Sequence, residues 1–320
     1  MNKLITIGEA LIDFIPNKVD DLKNVESFKR VAGGAPANVA ACVASLGKES
    51  ILLTKLGKDA FGDHIIEVLS SINVNVNYIK RTSEANTGLA FVSLNEDGNR
   101  EFVFYRKPSS DLLFSETEID ESIFNPNDIL HFCSVDLVES PMKKAHLKAI
   151  KTAIDKNSIV CFDPNLRYSL WESKEELINV VNEFIPYAHI LKLSDEELFD
   201  ITSIEDSELA IKSLFRGNVK IVIYTLGKDG ALVYTKDNMF SHDGFIVKAI
   251  DTTGCGDGFI GAVIYKMLGT DLNEIEYLDY KEIIEFGNAV GAMIALKEGV
   301  IPNMPTAESV KKFIRGRKWV

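Results

Sequence analysis

The chain has 320 residues, 46% of them hydrophobic, enough to build one large core or two modest ones. Its 35 Lys and Arg oppose 47 Asp and Glu, a net charge of −12, which argues against nucleic acid or an anionic membrane as the main partner. Four scattered cysteines without C-x-x-C spacing, an N-terminal apolar run too short for a secretory signal and no stretch of membrane-spanning length lead us to expect a cytoplasmic protein without disulfides.

In chain order, short β-branched runs alternate with helical patterns. Strands are predicted at 4–7, 51–54, 129–132, 159–162, 189–193 and 219–225. Helices are predicted at 36–47, with Pro36 near the start and Gly47 at the end, and at 59–72, 140–155 and 173–185. This is βαβ punctuation and predicts an α/β fold, a mostly parallel sheet covered by helices on both faces. Two stretches break the rhythm. Residues 87–106 read as two strands about the polar turn NEDGN, and residues 11–32 look extended. Together they predict a small second sheet, a lid carried on a single 320-residue domain. No linker, low-complexity segment or internal repeat is evident.

The stretch DTTGCGDGFIGAVIY (251–265) turns from glycines and small polar residues into an apolar helix. The first amides of a helix lack internal partners and carry the positive end of its dipole. Gly254 and Gly256 let the backbone come close to a ligand, so the segment 254–257 reads as an anion pocket suited to phosphate. Asp257 stands inside it. An acid in a first helical turn is ordinary, but a carboxylate beside an anion pocket repels the anion unless it has chemistry to do. Removing a proton from a hydroxyl that attacks phosphorus is such chemistry.

Other phosphate motifs are missing. There is no G-x-x-x-x-G-K-[ST], and GEALID rather than G-x-G-x-x-G follows the first strand. TLGKDGALVY (225–234) is a second glycine loop, by itself an ordinary hairpin turn. GGAPANVA (33–40) sets Gly33 and Gly34 before a helix whose first turn carries Asn38, a donor and acceptor suited to a polyol. The five histidines are dispersed and form no metal pair.

Taken together, these segments resemble the ribokinase, or phosphofructokinase-B-type, family of sugar kinases. GGAPANVA with Gly47 and Gly57 resembles the first family signature, and DTTGCGDGFIGAVI the second. The likeness runs over almost the whole chain. Through GEALIDFIP, FYRKPSSDLL, DPNLRYSLW and KLSDEEL it is strongest to the fructokinases of that family. The resemblance implies a three-layer ribokinase-like fold. It implies Asp257 as the base that takes the proton of the sugar's primary hydroxyl, with the amides of Gly254, Cys255 and Gly256 stabilising the transferring phosphoryl group. It places sugar hydroxyls on Asp13, Gly33, Gly34 and Asn38. ATP would meet Lys192, Ser194, Thr225, Gly227 and Gly230, with Asn288 near the adenine. Mg²⁺ would bridge the phosphates with Glu197 in its outer shell, and a monovalent cation such as K⁺ would sit by Asp251, Thr253, Gly299 and Asn303. Arg106 and Arg167 would reach the sugar, or the carboxylate of a sugar acid.

Three positions depart from the family pattern. Ser194 stands where Asn is usual, Cys255 replaces Ala, and Gly258 replaces another Ala, which should loosen the helix start. The expected activity is ATP-dependent phosphorylation of fructose to fructose 6-phosphate. A 2-keto-3-deoxygluconate kinase and a non-catalytic sugar sensor are the alternatives, and an exposed lid face is compatible with a homodimer.

Overall fold

A computed structural model describes residues 2–17, 20–94 and 100–317. The first half of the chain runs β1 (Leu4–Ile7), β2 (Leu11–Pro16), β3 (Phe28–Gly33), α1 (Ala35–Ser45), β4 (Ser50–Leu53), β5 (Lys55–Gly57), α2 (Ala60–Ser71), β6 (Lys80–Thr82), β7 (Leu89–Leu94) and β8 (Arg100–Tyr105). Next come β9 (Ile129–Cys133), α3 (Pro141–Asp155), β10 (Ile159–Asp163), α4 (Lys174–Phe184), β11 (Ile190–Ser194), α5 (Asp195–Thr202), α6 (Ser207–Ser213) and β12 (Ile221–Thr225). The chain closes with β13 (Ala231–Tyr234), β14 (Met239–His242), α7 (Cys255–Met267), α8 (Tyr280–Ala295) and α9 (Ala307–Arg317).

Eight strands form the main sheet in the order β14-β13-β12-β11-β10-β9-β1-β4, parallel from β12 to β4 and antiparallel at the β13–β14 edge. Its central strands are apolar on both sides because helices cover both faces. In β9, Leu130 and Phe132 face a core shared with Met142 of α3 and Phe184 of α4, where Phe132 stacks on Phe162. Ile129 points the other way, into a core with Val39 of α1 and Ile260 of α7. The expected helix starts are real caps. Ser140 and Ser173 accept the amides of Lys143 and Glu176 before α3 and α4.

The two irregular stretches do build a separate sheet, in the order β3-β2-β7-β8. The NEDGN turn at 95–99 lies outside the described residues. Asp59 ties this sheet to α2. It caps the helix by accepting from Phe61 and Gly62, and it also takes the amide and hydroxyl of Thr87. Burial pushes its carboxyl up, but these hydrogen bonds outweigh it and hold the pKa below the usual aspartate value. Asp59→Ala is expected to cost about 1–2 kcal/mol in urea unfolding at pH 7. Because the folded pKa is depressed, that difference is complete above the ordinary aspartate range and closes as the pH falls below it.

Two pairings escaped the sequence: β5 with β6, and the β13–β14 edge. No helix among the described residues is long and apolar enough to cross a membrane.

Candidate active site

Parallel α/β sheets bind ligands outside the carboxyl ends of their strands, at the point where the strand order reverses. Here the reversal lies between β1 and β9, which are neighbours despite the long excursion between them. Two cavities open at the carboxyl ends of the strands, the smaller one beside this reversal and the larger one beyond the end of β12. The smaller is lined by Glu9, Asp13, Gly34, Asn38, Arg167 and Asp257, among others. The larger, about 770 Å³, is bordered by Thr225, Gly227, Gly230, Cys255, Gly256 and Asn288. They meet at the N-terminus of α7.

Gly254 caps α7 with φ +70°, and a Cβ there would come within 2.4 Å of Val300, so only glycine fits. Among the described residues, the amides of Gly254, Gly256 and Asp257 find no backbone acceptor, whereas that of Cys255 donates to the Thr252 carbonyl at 3.3 Å. The anion pocket therefore rests on Gly254, Gly256 and Asp257 more than on Cys255. Gly258 lies inside α7, facing α8. A Cβ there would lie 2.1 Å from Ile294, so the missing methyl lets α7 pack closely on α8.

Asp257, half-buried, accepts a 2.8 Å hydrogen bond from Asn38 Nδ2. Burial pushes its carboxyl up, opposed by that bond and by the charges of Arg167 and Lys192. A base works only when deprotonated, so the acid limb of a pH–kcat profile should lie above the ordinary aspartate range. Asn38→Ala removes an opposing influence, so we expect that limb to move to still higher pH; an unmoved limb would uncouple Asn38 from the base. The bond is possible because α1 and α7 touch, with Cys42 Sγ against the Gly258 carbonyl at 3.4 Å.

The sugar side follows from β2, β3 and α1. A Cβ on Gly33 would sit 2.1 Å from Asp13 Oδ2, so the glycine makes room for that carboxylate. Asp13 lines the smaller cavity, and Asn38 Oδ1 is buried there without a partner, free to take a hydroxyl. Arg167 shares this cavity. Arg106 does not reach its surface. It is 3% exposed and bonds Asp111 and Asp136 through Nη2. Sequence reasoning missed Glu9, Phe104 and Asn165, which also line the cavity. An acid two residues after the first strand was the one signal for Glu9.

On the other side, Lys192 Nζ lies 3.1 and 3.0 Å from the two oxygens of Asp163. The pair keeps the ammonium charged, its pKa raised by Asp163 and Glu197 against the effect of burial. A Cβ on Gly256 would stand 3.6 Å from this ammonium, which places the charge at the helix terminus. Ser194 and Glu197 form a capping box at the start of α5, and Glu197 also accepts the Leu166 amide. Ser suits an N-cap as well as Asn does, so the departure at 194 has a structural reason. Asn288 donates to the carbonyls of His242 and Asp243, fixing the wall of the larger cavity. Asp251 accepts the amides of Thr253 and Gly299, and Asn303 Nδ2 donates to the Gly299 carbonyl. These four residues form one cluster beside α7.

Residues 1–307 match the model of the pfkB family carbohydrate kinases. A probable fructokinase-4 from Arabidopsis thaliana is 38% identical over 316 residues, covering 98% of this chain and 97% of that protein. A fructokinase from Xylella fastidiosa with bound ATP superposes with TM-score 0.90 at 30% identity, covering 99% of each chain. A fructokinase double mutant from Vibrio cholerae O395, in a fructose-, ADP- and potassium-bound form, gives TM-score 0.87 at 30% identity and 98% coverage of each. With signatures, fold and site geometry in agreement, the chain belongs to the pfkB family of carbohydrate kinases.

Proposed function

We propose that the chain transfers the γ-phosphoryl group of ATP to the primary hydroxyl of fructose, giving fructose 6-phosphate and ADP. The observation that carries this reading is Asp257, a carboxylate set where the two cavities meet and among unengaged helix amides. Fructose occupies the smaller cavity, its hydroxyls on Asp13 and Asn38. ATP occupies the larger one, its phosphates reaching the α7 terminus beside Lys192. As the new O–P bond forms and the bond to the leaving ADP breaks, Asp257 takes the hydroxyl proton. The amides and Lys192 bear the charge on the phosphoryl oxygens. Closure of the small sheet as a lid excludes water and limits wasteful ATP hydrolysis.

Mg²⁺, when bound with the nucleotide, neutralises charge between the phosphates. Both Glu197 oxygens are already engaged by Leu166 and Ser194, which suits an outer-shell role through water. The Asp251, Thr253, Gly299 and Asn303 cluster offers oxygen donors for a monovalent cation such as K⁺. Val103 and Tyr105 are exposed on the small sheet, and a homodimer through that face would cover them. Four free cysteines and ATP dependence suit the cytoplasm.

A panel assay of ATP turnover tests the reading. Fructose should give the highest kcat/KM among fructose, ribose, 2-keto-3-deoxygluconate and nucleosides. A different leader contradicts it, and no turnover at all would restore the sensor alternative.

A further inference from the structure

A buried guanidinium is the natural anchor for an anionic substrate, because it pairs with carboxylates in a fixed fork. Arg106 is already committed. Asp111 and Asp136, both 1% exposed, share its Nη2. Glu9 lies next to this group and lines the smaller cavity. Glu9 Oε1 accepts the Ala35 amide at 2.8 Å. Glu9 Oε2, Arg106 Nε, Asp111 Oδ1 and Asp136 Oδ2 are all buried without a hydrogen-bond partner. So many unpaired polar atoms call for polar matter to complete them.

The cluster sets three acids against one base. Glu9 reports first on burial and only then on this field. Burial pushes the Glu9 carboxyl up to about 8, and Asp136 adds to this against the opposing Arg106 and Ala35 amide. A native carboxyl here is thus driven towards its neutral form, and a substrate carboxylate would meet the same surroundings. Arg167, the cation on the cavity surface, acts on Asp257 and so stands at the phosphoryl-transfer end.

Resting on the sugar-kinase reading, the geometry points to Asp111 and Asp136 as specificity-determining residues that select an uncharged ketose over a sugar acid. They cancel the charge of Arg106 behind Glu9, the member of the group that lines the cavity, so this wall of the cavity presents no unspent cation to a carboxylate. Rejection of the wrong substrate is built from an opposing charge rather than from a better fit to the right one.

Two substrates that differ only at one end supply the probe: 3-deoxyfructose carries CH₂OH where 2-keto-3-deoxygluconate carries a carboxylate. The wild-type chain should prefer 3-deoxyfructose by about a hundredfold or more in kcat/KM. Asp111→Asn and Asp136→Asn should each shrink that preference about tenfold or more, chiefly through the KM of the acid. Folded, active variants that keep the wild-type ratio overturn the inference. If neither variant folds, the wild-type ratio decides: about a hundredfold upholds the charge filter, and a ratio near one overturns it. A wild-type chain that fails to phosphorylate fructose counts against the sugar-kinase reading itself. Activity on fructose with an unmoved ratio counts against this inference alone.

Discussion

Replacing Asp257 by Asn should leave the chain folded and lower kcat by about 10²–10⁴-fold, the usual worth of a positioned base. The substitution keeps the shape of the side chain and an oxygen for the Asn38 amide, which now bonds it at 2.8 Å. Burial of the carboxyl disfavours its charge, so a neutral replacement carries little folding penalty. The KM for ATP should stay level or fall, since a negative group beside the phosphates is removed. That combination, a lower kcat without a higher KM, marks an interaction made only in the transition state. Steady-state kinetics alongside circular dichroism separate it from misfolding. Near-normal turnover in the variant would remove Asp257 from the chemistry.

The second large effect concerns Lys192. It is 7% exposed against an Asp163 that is 1% exposed. Burial pushes Asp163 up to about 7, with Lys192 opposing and Glu197 and Asp257 adding. Lys192→Met leaves that carboxyl buried without its cation. Losing one partner of a buried pair costs about 3–5 kcal/mol, and the lower end applies because Asp163 can take up a proton. Chemical denaturation at neutral pH measures the loss. Activity should fall as well, through a weaker hold on ATP, since the ammonium stands beside Gly256 at the α7 terminus. A variant with unchanged ATP KM would make Lys192 a structural residue only.

Much of the fold was legible because burial writes a local pattern. The runs at 4–7, 129–132 and 159–162 are apolar on both faces, as strands between two helical layers must be, and Ser140 and Ser173 announce their helices by capping chemistry. The three-residue strands β5 and β6 carry too few residues for any period to show. At the site, glycine segments such as 33–34 and 254–256 were readable because few other sequences bring backbone so close to a ligand. Arg106 was named as a site residue, but its buried pairing was not readable. Its partners Asp111 and Asp136 lie 5 and 30 residues away, and nothing local to either says that they converge. Lys192 was named through the family resemblance, but its pairing with Asp163, which explains a charge buried in an apolar strand, was not readable.

Product analysis tests the central claim most directly. Purified protein is incubated with ATP and fructose, and the phosphosugar is identified by phosphorus-coupled NMR. Fructose 6-phosphate should accumulate one for one with ADP, and the Asp257→Asn chain should form both at the same greatly reduced rate. ADP without a phosphosugar, or fructose 6-phosphate formed equally fast by the variant, would contradict it.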